Sequence, residues 1–140
     1  MYVVDWDNHR IQKFNSNGLF ITKWGSNGKG DGQFDALEGV AVDSSGNVYV
    51  TDSQNSRIQK FSSNGAFITK WGSNGKGDGQ FNRLVGVAVD SSGYVYVADE
   101  FNHRIQKFSS NGTFITMWGS EGGAEGQFRY PMGVLWTLLH

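Results

Sequence analysis

The 140-residue sequence contains no cysteine and a single proline, Pro131. Without cysteine there are no disulfides and no thiolate metal sites, a condition that reducing and oxidising compartments share, so the compartment stays open. With one proline there is no Pro-rich linker to divide the chain, and a single domain over residues 1–140 is expected. Charge of one sign is also missing. Twelve basic and 13 acidic residues leave a net charge of −1, so no overall field recruits DNA, RNA or an anionic membrane. No apolar run approaches the ~20 residues that span a bilayer, and the first residues already belong to the pattern described next, so neither a membrane segment nor a leader is expected. What the chain does have is 20 glycines and 14% aromatics, the composition of a turn-rich globular protein.

The sequence repeats itself every 47 residues. Arg10, Arg57 and Arg104 each open an RIQKF segment, and Trp24, Trp71 and Trp118 keep the same spacing, as do Phe34, Phe81 and Phe128. Three copies result, at residues 2–48, 49–95 and 96–140. Self-similarity at this period marks an array of units that bury their apolar faces only against one another. Within each copy, four short segments rich in Val, Ile, Tyr, Phe and Trp are separated by Gly, Asn and Ser turns, the pattern of consecutive antiparallel strands. In the second copy GVAVD and VYVTD flank the turn 44–47, and RIQKF and AFITKWG flank the turn 62–65. Two hairpins are therefore expected. The glycine-rich stretch 73–81 then leads into the next copy, and its glycine content argues against a helix. Four-stranded units joined in this way are the blades of a propeller.

GVAVDSSGNVYVTDSQNSRIQKF followed by FITKWGSNGKGDGQF resembles the NHL repeat, copy by copy, across nearly the whole chain. The resemblance implies an all-β protein, a six-bladed β-propeller of four-stranded antiparallel blades. It also implies a binding platform for peptides, proteins or RNA in most members and an enzyme in a minority.

Three blades do not close a circle, and propellers have about 4 to 8 blades. The only multiple of three in that range is six, so two chains are expected to form one ring as a homodimer. The copies are also out of phase with the blades. Tyr2, Val3 and Val4 fall where VYVTD stands, with no inner strand before them, while Val134, Leu135 and Trp136 fall where that inner strand stands. Each chain is thus expected to complete the first blade of the other; left alone, it would expose an unpaired strand edge. Beyond Trp136 the turn SSG becomes Leu138-Leu139 and the aspartate becomes Thr137, either a clamp on a partner or a readthrough scar.

Residues that recur in every copy are assigned to blade construction. Asp5, Asp52 and Asp99 stand five residues before Arg10, Arg57 and Arg104, across a hairpin loop, so each pair is expected to form a structural ion pair, because a buried charge needs a partner. The tryptophans are expected to pack on neighbouring blades. The glycine-rich loop lacks the GK[ST] of a phosphate loop and the alternating carboxylates of an EF-hand, which leaves a connector, with weak cation binding at Glu121 and Glu125 as a lesser reading. His9 and His103 occupy equivalent outer loops and are expected to be solvent-exposed and not metal ligands. No distinct Ser, His and Asp set or paired carboxylates stand out, so no catalytic residues, cofactor or metal are assigned.

The first two copies differ at 10 of 47 positions, close enough for recent amplification or a constructed array. The differences cluster before the third strand (Trp6/Ser53/Glu100, Asp7/Gln54/Phe101, His9/Ser56/His103) and before the inner strand (Asp35/Asn82/Arg129, Ala36/Arg83/Tyr130, Glu38/Val85/Met132), two regions expected at one end of the blades. The candidate binding face is accordingly Trp6, Asp7, His9, Arg83, Glu100, Phe101, His103, Arg129 and Tyr130, an aromatic and arginine mixture suited to a peptide or protein ligand and less to RNA. A non-catalytic scaffold that self-assembles by sharing strands is the leading reading. A ligand-free amplified or engineered fragment and a metal-dependent lyase or hydrolase are the alternatives.

Overall fold

In the computed structural model, which describes residues 1–136, the repeat is laid out as three consecutive antiparallel sheets. Blade I holds β1 (Tyr2–Asp5), β2 (Arg10–Phe14) and β3 (Phe20–Trp24). Blade II holds β4 (Leu37–Val42), β5 (Val48–Asp52), β6 (Arg57–Phe61) and β7 (Phe67–Trp71). A short parallel pair, β8 (Ser73–Asn74) and β9 (Gln80–Phe81), ties the connector together. Blade III then holds β10 (Leu84–Val89), β11 (Val95–Asp99), β12 (Arg104–Phe108) and β13 (Phe114–Trp118). Two turns of 3₁₀ helix, Trp6–Asn8 and Glu100–Asn102, sit where the sequence suggested irregular loops. Thr137, Leu138 and Leu139 lie outside the described residues.

The thrice-used segment RIQKF shows what neighbours contribute. All five residues are buried in β6, four of five in β12 and one of five in β2. The sequence is the same, so the difference is tertiary: blade II is covered on both faces. Two clusters fill the gaps between blades. One joins Ile11, Phe34, Leu37, Val48, Val50 and Phe61; the other joins Tyr49, Ile58, Phe81, Leu84, Val97 and Phe108, among others.

Contact between blades is close on the inside and bulky on the outside. A Cβ placed on Gly39 would lie 2.6 Å from the carbonyl oxygen of Val85 in the next inner strand, and one on Gly86 would lie 2.5 Å from that of Met132. Met132 thus takes up, against blade III, the place that Val85 takes against blade II. On the outside, Trp24 lies over Gly65 and Trp71 over Gly112, each ring 2.5 Å from where a Cβ would be. Both glycines also have left-handed backbones (φ +91 and +93), so they are required twice over. Lys13 Nζ and the Tyr2 hydroxyl donate to the Ser63 carbonyl, and Lys60 Nζ to that of Ser110, strapping each blade to the next.

The inner hairpins are closed by aspartate. Asp43 accepts from the backbone N–H groups of Ser45 and Asn47 and from the Tyr49 hydroxyl at 3.0 Å. Burial works against its charge, yet hydrogen bonds from Asn47, Tyr49 and Ser45 outweigh it and hold the carboxyl below the usual range. Asp90 accepts from the Tyr96 hydroxyl at 2.8 Å. Burial first, then the bond to Asp90 and its negative charge, push the Tyr96 hydroxyl up to about 12; Tyr49 is raised for the same reasons. A pKa raised on folding contributes stability that is whole below the unfolded value near 10 and is lost as pH climbs through the folded value. The thermal midpoint is therefore expected to fall between pH 10 and 12, and to fall less steeply in a Tyr49→Phe, Tyr96→Phe variant. Equal slopes in a pH series of melts would contradict this role.

Candidate binding face

Antiparallel pairing sets Asp52 opposite Arg57 and Asp99 opposite Arg104, and each pair closes at 2.8 Å from Nε to Oδ2. The Asp52 carboxylate also accepts from Asn55, Gln59 and the backbone N–H of Asp35. The remaining nitrogens of Arg57 donate to the carbonyls of Lys29, Gly30 and Gln33, while Gln59 clasps Gln33 and Gly32. Blade III repeats every one of these bonds from Asp99, Arg104 and Gln106. The glycine-rich connector is thus held by the blade it enters. Among the described residues Arg10 has Asp5 alone, at 2.6 Å and partly exposed, and its hydrogen bonds hold the Asp5 carboxyl below the usual range. Gln59 and Gln106 were not singled out in the sequence; their invariance at a fixed offset from Asp is the signal that could have found them.

With the connector anchored, its last residues meet the loop between second and third strands. Ser53 and Gln54 N–H donate to Ala36 and Asp35, and those of Glu100 and Phe101 donate to Arg83 and Asn82. The two clusters of differing positions therefore form one surface, and six of the ten differences between the first two copies lie on it. This surface also carries the backbone strain. Thirteen of the described residues with positive φ are glycine, but His9, Ser56, His103, Ala36, Arg83 and Tyr130 are not, with φ between +52 and +63. A side chain in this conformation costs about 1–2 kcal/mol that glycine would not. All six occupy positions at which the copies differ.

The structure joins the sequence-predicted residues unevenly. Arg83 donates to Glu100 on its own blade at 3.0 Å and to Glu38 on the preceding inner strand at 3.1 Å, and Glu38 was not among the predicted site residues. Phe101, His103 and Tyr130 form a second group: His103 Nδ1 accepts from the Tyr130 N–H at 3.1 Å, with ring centroids 4.7 Å apart, and Phe101 meets Tyr130 edge-on. Trp6 and Asp7 stand exposed on blade I, and Arg129 is exposed. The expectation that His9 and His103 are solvent-exposed is corrected. The left-handed residue after each short loop swings its ring back toward the next connector, leaving the His103 side chain 13% exposed and burying His9 Nδ1.

Between the loops of blades II and III lies a cleft of about 140 Å³, lined by Ser53, Gln54, Ser56, Asn74, Asn82, Arg83 and Phe101. All but Asn74 fall at the differing positions singled out in the sequence. Among the described residues no group of three His, Cys, Asp or Glu side chains is arranged to hold a metal, and no helix is long and apolar enough to cross a membrane.

The NHL repeat model matches residues 34–61 and 81–108, from the end of each connector through the third strand. Comparison with curated protein sequences finds no match. Among solved structures the chain is similar to virginiamycin B lyase from Staphylococcus aureus (TM-score 0.64, 13% identity, covering 94% of this chain and 40% of that one). It is also similar to a streptogramin B lyase (0.64, 16%, 84% and 36%) and to a gluconolactonase from Xanthomonas campestris (0.54, 17%, 81% and 35%). At these identities the likeness is one of fold, and the chain spans 40% or less of each structure. Residues 34–61 and 81–108 thus match the NHL repeat, and the sheets that hold them are laid out like the blades of these β-propeller folds.

Proposed function

We propose that this chain is a non-catalytic binding module whose ligand face is the surface of differing residues, and that two copies close a six-bladed ring around it. The observation that carries the first part is the strained backbone. The repeat uses glycine freely at positive φ elsewhere, yet at six positions on this face it keeps side chains at a cost, and keeps different ones in successive blades. Strain retained at such places is a mark of functional surfaces.

Ring closure is supported by two complementary edges. Residues 132–134 lie against β10 as an inner strand lies against its neighbour, and β1 pairs only with β2 among the described residues. Transferring the register of β4 on β5 sets Val134 of one copy opposite Val3 of the other, and Leu135 opposite Tyr2. The solved propellers are more than twice as long as this chain, so a ring of their size needs blades beyond these three.

Light scattering on a sizing column tests closure: the expected mass is about 31 kDa, twice 15.5 kDa, and a concentration-independent 15.5 kDa species overturns it. For the face, backbone amide shifts recorded against small-molecule and peptide libraries are expected to move first at residues 53–56, 82–83 and 100–103. Shifts confined to the opposite turns, 43–47 and 109–113, would refute the assignment.

A further inference from the structure

We infer that the cleft between blades II and III is a subsite for one uncharged six-membered sugar ring, an inference that rests on the binding-module reading above. Its size comes first. About 140 Å³ is close to the ~150 Å³ cavity that accommodates benzene, so one six-membered ring is what the space admits.

The walls then exclude an apolar ring. Ser53 is 5% exposed and its hydroxyl has no hydrogen-bond partner, although it lines the cleft and buried polar groups are rarely left unsatisfied. Beside it stand the side-chain amides of Gln54 and Asn82, neither engaged in a hydrogen bond among the described residues, and that of Asn74, whose oxygen is unengaged. Each of these amides offers an acceptor, and Gln54 and Asn82 a donor as well, the complement of neighbouring ring hydroxyls, which do both.

Charge settles between neutral and anionic ligands. The guanidinium of Arg83 is flanked by two carboxylates, Glu38 and Glu100. The trio carries an excess negative charge that disfavours a uronic acid or a sugar phosphate. Among the described residues Arg83 Nη1 makes no hydrogen bond, so its N–H groups are left to donate to a ring or hydroxyl oxygen. Phe101, 47% exposed at the rim, supplies the apolar surface on which the C–H face of a pyranose rests. No covalent step is implied.

The test is an amide-shift titration of the 140-residue chain with methyl glycosides of glucose, mannose and galactose, and in parallel with a short-peptide library. The expected result is saturable movement at Ser53, Gln54, Asn82 and Arg83 with at least one glycoside, at a Kd on the order of 1 mM for a ligand of this size. Affinity should weaken at least about tenfold in Ser53→Ala, which removes the hydroxyl and adds no atom, and in exposed Gln54→Ala, which leaves the fold untouched. If no glycoside moves these amides but a peptide does, the sugar inference falls and the binding-module reading stands. If neither moves them, both fall, and glycoside shifts unchanged by both substitutions also overturn the inference.

Discussion

Asp52→Ala is expected to destabilise the fold by about 3–5 kcal/mol, the range for removing one partner of a buried ion pair. Asp52 is fully buried, and four N–H groups converge on its carboxylate. Its loss leaves the Arg57 guanidinium buried with carbonyls alone for partners. It also frees the end of the connector, which Asp52 holds through the Asp35 N–H. Since a whole domain is stable by about 5–15 kcal/mol, the variant should unfold at much lower urea, read by tryptophan fluorescence. The internal control is Asp5→Ala. The Asp5 and Arg10 side chains are 22% and 30% exposed, and a pair that solvent reaches contributes far less than a buried one. Equal losses at the two positions would show that burial is not what gives the pair its worth.

Phe61→Ala is expected to cost about 3–5 kcal/mol through lost burial and the cavity left behind. The Phe61 ring is fully buried and meets Trp24 of the preceding blade at 5.6 Å, Phe34 of the connector at 5.8 Å and Phe67 of its own hairpin at 6.1 Å. The residue therefore joins two blades, and its removal should shift unfolding of both together. Phe14 holds the same place in blade I but meets only Phe20 in this way among the described residues, so Phe14→Ala is expected to cost less than half as much. Calorimetry of the two variants decides it. A single cooperative transition shifted down by Phe61→Ala supports a core shared between blades, and two separate transitions would refute it.

The strands were legible because each copy restates them, and because alternation, Gly turns and paired Asp and Arg all point the same way. Tyr49 and Tyr96 were harder. As residues of a strand they read as packing, and only the register shows their hydroxyls reaching back six residues to Asp43 and Asp90. Glu38 and Arg83 stand 45 residues apart, and periodicity alone cannot say that one blade hands a carboxylate to the next. The histidines failed for a related reason. Exposure was inferred from loop position, whereas a left-handed backbone turns the ring inward. The candidate binding face is marked out by difference, by comparing copies, since the invariant residues report on construction.

The inner glycines and outer tryptophans together act as a gauge of curvature. Neighbouring blades touch through bare backbone at Gly39 and Gly86, and are held apart by indole rings resting on Gly65 and Gly112. Thin contact at the hub and thick contact at the rim give each blade a wedge angle. In a closed ring that angle must divide the full circle, so two residue types at fixed places in a 47-residue period set how many blades the circle takes.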